Sequence, residues 1–114
     1  MPETIFAKII AKEIPADIIY EDSHVVAFND IDPKAPVHFL VVPKKPIENL
    51  LDTYADDTLL LGKLMEAAVL VAREKGLADG GFRVVVNVGP NGGQSVAHLL
   101  LHVLGGRPLS WPPG

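Results

Sequence analysis

"GGQSVAHLLLHVLGG", residues 92–106, is the stretch on which the reading of this chain turns. Two histidines, His98 and His102, stand four apart among leucines, with Leu100 midway and a glycine pair on either side. The run is almost continuously apolar, so it does not reveal its own period. In a helix, His98 and His102 would be neighbours on one face and could chelate an ion. In a strand, His98, Leu100 and His102 would share a face, with the histidines about 13 Å apart at ~3.3 Å per residue, too far to hold one ion together.

The segment just before it, "NVGPNGGQS" at 87–95, follows "FRVVVNV" at 82–88, whose β-branched residues predict a strand after the "DGG" turn. Glycine-rich turns can present backbone N–H groups to an anion, and Gln94 and Ser95 add side-chain donors. The same glycines equally suit an ordinary hairpin loop with positive φ. The lysine and spacing of a P-loop are missing.

Further outward, "TIFAKIIAKE" at 4–13 places Phe6, Ile9 and Ile10 at helical spacing, with Thr4 as a cap and Pro15 as a stop. "ADIIYEDSHVVAFNDI" predicts a hairpin, strands 18–20 and 24–31 around a polar turn, and "VHFLVVP" at 37–43 a third strand bounded by prolines. From Asp56 to Lys75 the period becomes helical, with Gly76 as a left-handed stop. Leu60, Leu61, Leu64, Met65, Ala67, Ala68, Val69, Val71 and Ala72 fill an arc of about 200°, roughly twice what one core contact needs. A single sheet cannot cover that arc, so the excess is read as a subunit interface. The tail "GGRPLSWPPG" has too many prolines and glycines for a ladder, yet holds the chain's only tryptophan, Trp111, which needs a surface to pack on.

The 114 residues suit one domain, 1–114, with 107–114 as an extended tail. At 48% hydrophobic and 21% charged, the composition is that of a globular protein, and a net charge of −4 gives no reason to bind nucleic acid. The basic "PKKP" at 43–46 is too short to change that and reads as a solvated loop. There is no cysteine, no leader-like N-terminus and no apolar run of membrane-spanning length, so a cytoplasmic protein without membrane partners is expected. Two further histidines, His24 at the hairpin turn and His38 opening the third strand, are by themselves a surface and a partly buried imidazole. Asp30 and Asp32 in "FNDIDP" are turn formers ahead of Pro33.

Taken together, "IFAKIIAKEIPADIIYED", "FNDIDPKAPVHFLVVPKKPI", "VVVNVGPNGGQS" and "GGQSVAHLLLHVLGGRPLSWPPG" resemble, in order, segments of the histidine triad (HIT) superfamily, its Hint branch. The resemblance implies that 96–104 is a strand. It also implies an α+β HIT-like fold, a five-stranded antiparallel sheet with one long and one short helix, continued across a homodimer. The family's motif alternates three histidines with apolar residues. Here the outer two stand as His98 and His102, and the middle one, the family's nucleophile, is Leu100. Ala97 replaces a usual aromatic.

By the same resemblance, Asp30 and Ile31 would meet ribose and base, and Asn87 would stand beside the phosphate. Gly93, Gln94, Ser95 and His102 would hold the α-phosphate of a purine nucleotide such as AMP. His38 and His98 would order the imidazoles, and Trp111 would reach the partner's site. The family hydrolyses nucleoside phosphoramidates and adenylates through a nucleotidyl-histidine and needs no cofactor.

Leucine has no lone pair for phosphorus, and His102 is displaced by about 6.6 Å along a strand, so it does not inherit in-line attack. Turnover near background is therefore expected. Leu100 should contribute about 1–2 kcal/mol of apolar burial, whereas Ala97, if its site is buried, would leave a void costing about 3–5 kcal/mol. The alternatives are a residually active phosphoramidase and a partner-binding dimer with a vestigial site. Zinc on His38, His98 and His102 is disfavoured by strand spacing and the lack of acidic company.

Overall fold

The computed structural model describes residues 4–114. Helix α1, Ile5–Ile10, begins where Thr4, in extended conformation, accepts a hydrogen bond from the Ala7 amide (3.1 Å). It ends three residues before the predicted limit, because Lys12 takes a left-handed conformation (φ 63°) that lets the Glu13 amide reach the Lys8 carbonyl at 2.9 Å. Pro15 follows a helix already closed.

Strands β1, Ile18–Glu21, and β2, Val25–Asn29, form the expected hairpin. Its turn is set by Asp22, whose carboxylate accepts from the amides of His24 (2.7 Å) and Val25 (2.8 Å). Strand β3 runs Val37–Pro43, helix α2 Thr58–Glu74, β4 Phe82–Val85 and β5 Leu101–Gly105. Two 3-10 turns, Leu50–Asp52 and Ala55–Asp57, precede α2. Asp57 is buried there, accepting from the Lys45 ammonium (2.6 Å) and the Tyr54 amide (3.0 Å), which hold its carboxyl below the usual range. Gly76 supplies the positive φ (77°) that ends α2.

The sheet order is β1-β2-β3-β5-β4, every pair antiparallel. Side chains alternate between its faces, and each face has its own cover. Val25, Ala27, Phe39, Val41, Leu101 and Val103 pack against Leu64, Ala67, Ala68 and Val71 of α2. Val26, Phe28, Leu40 and Val42 pack against Ile9 and Phe6 of α1. Fully burying a side chain of this kind contributes about 1.5–3 kcal/mol, so both layers matter to stability.

Helix α1 is only six residues long. It covers the β2–β3 side of its face and leaves the other side unlidded. There, Leu40 pairs with His102, His38 with Leu104, Arg83 with Leu104 and Val85 with His102. His102, Leu104, Arg83 and Val85 stay half-exposed. A short helix over a wide sheet thus creates the concavity.

Two strand limits are corrected. β4 stops at Val85 instead of running to residue 88. The predicted strand 96–104 is regular only from Leu101. Leu101 pairs with Val41, which would put the preceding residues opposite Pro43, a residue with no N–H to donate. Val96 to His98 bend instead, with the His98 amide on the Val96 carbonyl (2.9 Å), and the Leu99 amide reaches the Ile47 carbonyl (2.7 Å). Ala97 is exposed, so the feared void does not arise.

Helix α2 presents more apolar surface than the sheet takes up. Leu59, Met65 and Leu70 remain exposed, the last two beside an open groove lined also by Glu66, Val69, Arg73 and Glu74. Among the described residues, no helix is long and apolar enough to cross a membrane.

Candidate functional site

On the unlidded sheet face, β3 and β5 bring His38 and His102 together, with His38 Nε2 3.0 Å from His102 Nδ1. His38 is buried, and its Nδ1 accepts the backbone N–H of Lys34 (3.0 Å). An acceptor nitrogen carries no hydrogen, so the His38 proton sits on Nε2 and is donated to His102 Nδ1. The hydrogen of His102 is then on Nε2. Burial, and after it the neighbouring His38, hold the His102 pKa below its ordinary value, opposed by Asp30.

Asp30 comes from the loop after β2. Its Oδ2 lies 3.5 Å from His38 Nε2, and its Oδ1 accepts from the Asp32 amide (2.8 Å). Asp30, His38 and His102 each offer one atom within 4.8 Å of the others. Acidic company for the histidines, absent from the sequence reading, is therefore present in space. His98 is not part of this cluster.

His98 lies in the bend before β5 and is buried. Its Nε2 faces the Pro43 carbonyl (3.2 Å), which can only accept, so Nε2 carries the hydrogen. Nδ1 is 3.2 Å from Thr4 Oγ1, and Phe6 meets the ring edge-on at 6.1 Å. Burial pushes its pKa down, partly offset by the Pro43 carbonyl. Leu100, half-buried, packs on the apolar cluster of Ile9, Phe28 and Leu40.

Asn87, Gln94, Ser95, Val96, His98, Leu100 and His102 line one small cleft of about 20 Å³. The three positions of the 98–100–102 motif thus share a cleft although only His102 is on the strand. Such a space admits about one water, so a larger group would sit across its mouth. A separate, broader hollow of about 210 Å³ is lined by Asn29, Asp30, Pro33, Pro36, His38 and Lys75, with Ile31 almost fully exposed nearby in sequence, and the His38–His102 contact joins it to the small cleft.

The loop donors are largely committed within the loop. The Gly93 amide donates to the Pro90 carbonyl (3.1 Å) and the Gln94 amide to the Gly89 carbonyl (3.0 Å). Gln94 accepts from the Gly89 amide (3.0 Å) and donates to the carbonyls of Glu48 (2.7 Å) and Val96 (3.0 Å). Asn87 donates to the Gly92 carbonyl (2.6 Å). Gln94 is therefore a stitch across the loop, and among the described residues the side-chain donors left without a partner at the cleft include the Ser95 hydroxyl and His102 Nε2–H.

Sequence reasoning missed three contributors. Lys34 acts through its backbone amide, which no side-chain pattern displays. Thr4 was seen as a cap but not as a partner of His98. Gly92 is required by close approach, since a Cβ there would stand 2.3 Å from the Val88 carbonyl oxygen; the "NGG" pair was the available signal. Trp111 is exposed, and the tail before it is tied down by Arg83, donating to the carbonyls of Leu109 (3.2 Å) and Ser110 (2.7 Å), and by Arg107, donating to the Lys34 carbonyl (2.9 Å).

A family model described as the HIT domain matches residues 11–109. An HIT-like protein of Synechococcus elongatus is 55% identical over 112 residues, covering 98% of this chain and 97% of its own. A 14 kDa zinc-binding protein of Brassica juncea is 49% identical, covering 98% of this chain and 100% of its own. A crystal structure of an HIT family hydrolase from Legionella pneumophila superposes with a TM-score of 0.95 at 46% identity, covering 96% of this chain and 98% of that one.

Proposed function

The chain belongs to the HIT-domain family, and on that premise we propose that it is a Hint-type purine-nucleotide-binding protein in which phosphoryl transfer to the protein has been lost. The observation that carries this reading is the place of Leu100. It stands in the same cleft as Ser95 and His102, where a nucleophile would be needed, and its side chain rests on apolar neighbours. A covalent step needs a lone pair and a group that tolerates positive charge, and an isobutyl group supplies neither.

In this reading Ser95 and His102 donate to the α-phosphate, with Asn87 beside it and Gly93 and Gln94 shaping the loop. Asp30 and Ile31 meet the ribose and base at the broader hollow. His38 orients the His102 ring, His98 holds the bend that leads into β5, and the protein acts in the cytoplasm without nucleic acid. Calorimetric titration with AMP tests it. Saturable heat that disappears in Ser95→Ala supports the pocket, and no heat at millimolar nucleotide removes it.

We also place a second copy of the chain on α2 and β4. Support comes from exposed Met65 and Leu70, and from β4 standing at the sheet edge with one side unpaired. Trp111 would then reach toward the partner's site.

The zinc named for the Brassica juncea protein does not fit Asp30, His38 and His102 here. A zinc-bound histidine gives its second N–H outward to an acceptor, whereas the Lys34 amide donates inward to His38 Nδ1. That leaves the hydrogen on Nε2, the very atom that would have to ligate.

A further inference from the structure

We infer that the Lys34 amide, His38 and His102 form a one-way hydrogen-bond relay that fixes His102 as an uncharged donor, and that the site therefore selects phosphoryl groups bearing one negative charge over those bearing two. This rests on the nucleotide-binding reading and concerns which phosphoryl class the same pocket takes.

The relay has a single direction. The Lys34 amide can only donate, so His38 Nδ1 accepts, His38 Nε2 donates, and His102 Nδ1 accepts. A proton added to His102 Nδ1 would face the hydrogen already on His38 Nε2. The imidazolium form of His102 is thus opposed by geometry as well as by burial.

The rest of the cleft supplies no formal charge. Among the described residues its lining contains neither lysine nor arginine; the Asp30 carboxylate stands beside the pair, and Lys75 belongs to the adjoining hollow. Ser95 and His102 can each give one hydrogen bond to a phosphoryl oxygen, which stabilises a single anionic charge well. A second charge must also be removed from water, and no cation in the cleft's lining repays that cost. A phosphodiester or phosphoramidate carries one charge at neutral pH, whereas a phosphate monoester carries close to two.

The test is a pair of calorimetric titrations at pH 7.5, AMP against its 5′-phosphate methyl ester, on the intact chain. The ester should bind tighter by about tenfold. Equal or tighter binding of AMP overturns the selectivity while leaving the nucleotide pocket in place. No heat from either ligand overturns the pocket reading itself and this inference with it. Nitrogen-15 NMR of the histidine rings provides the second readout: His38 and His102 should both carry hydrogen on Nε2 alone. A hydrogen on Nδ1 of either ring contradicts the relay, whatever the titrations give.

Discussion

Thr4 Oγ1 lies 3.2 Å from His98 Nδ1, so residues 94 apart in sequence join the first turn of α1 to the bend that leads into the cleft. The same hydroxyl oxygen caps the helix through the Ala7 amide. Removing it should loosen helix and bend together. Thr4→Ala is expected to cost about 1 kcal/mol, in the range for lost N-caps, with Thr4→Ser close to the parent. Urea unfolding of the three proteins checks this, and equal midpoints would show that the contact contributes nothing.

Acid should act on the same region. His98 and His102 both have pKa values lowered in the fold, chiefly by burial. Each takes up a proton more readily when unfolded, so its neutral form stabilises the fold fully above about pH 6.5, and that contribution is lost as pH falls toward the folded values. Stability should therefore decline from pH 7 to 5.5, before most carboxylates titrate. His98→Gln, whose amide nitrogen stands near the place of the imidazole Nε2 and still donates to the Pro43 carbonyl, should flatten the slope. An unchanged slope would assign it elsewhere.

Gln94 bridges Gly89, Glu48 and Val96. Gln94→Ala leaves several backbone groups without partners, at about 1–3 kcal/mol for each that water does not reach. The expected result is faster amide hydrogen exchange across 87–96 with the β2–β3 core unaffected. Uniform protection in the variant would contradict the stitch.

Leu70 and Met65 are 39% and 47% exposed on a helix whose opposite face is fully packed. If a second copy covers them, Leu70→Glu should halve the mass seen by light scattering and leave the circular dichroism unchanged. A parent protein already monomeric at tens of micromolar would rule the interface out.

How far the fold could be read in advance follows from where its information is local. The hairpin, β3 and α2 announce themselves by alternation, flanking prolines and the Gly76 stop, and they appear within a few residues of the predicted limits. Strand β5 does not, because its start depends on Pro43 having no amide to offer, a fact about its neighbour. The site behaves similarly. The two outer histidines and Ser95 were visible as residue types, but the His38–His102 contact spans 64 residues and the Lys34 contribution is backbone only. Asp30 reaches the histidines through sheet order, which no spacing encodes.

Leu100 fills the place between His98 and His102 where a nucleophile would stand. Adenosine phosphoramidate hydrolysis should be measured for the parent chain and for Leu100→His, after circular dichroism has shown both folded; the variant trades apolar packing worth about 1–2 kcal/mol for an imidazole. The parent chain should turn over near background, and the variant should gain on the order of 10⁴-fold. Equal rates in the two proteins would contradict this reading.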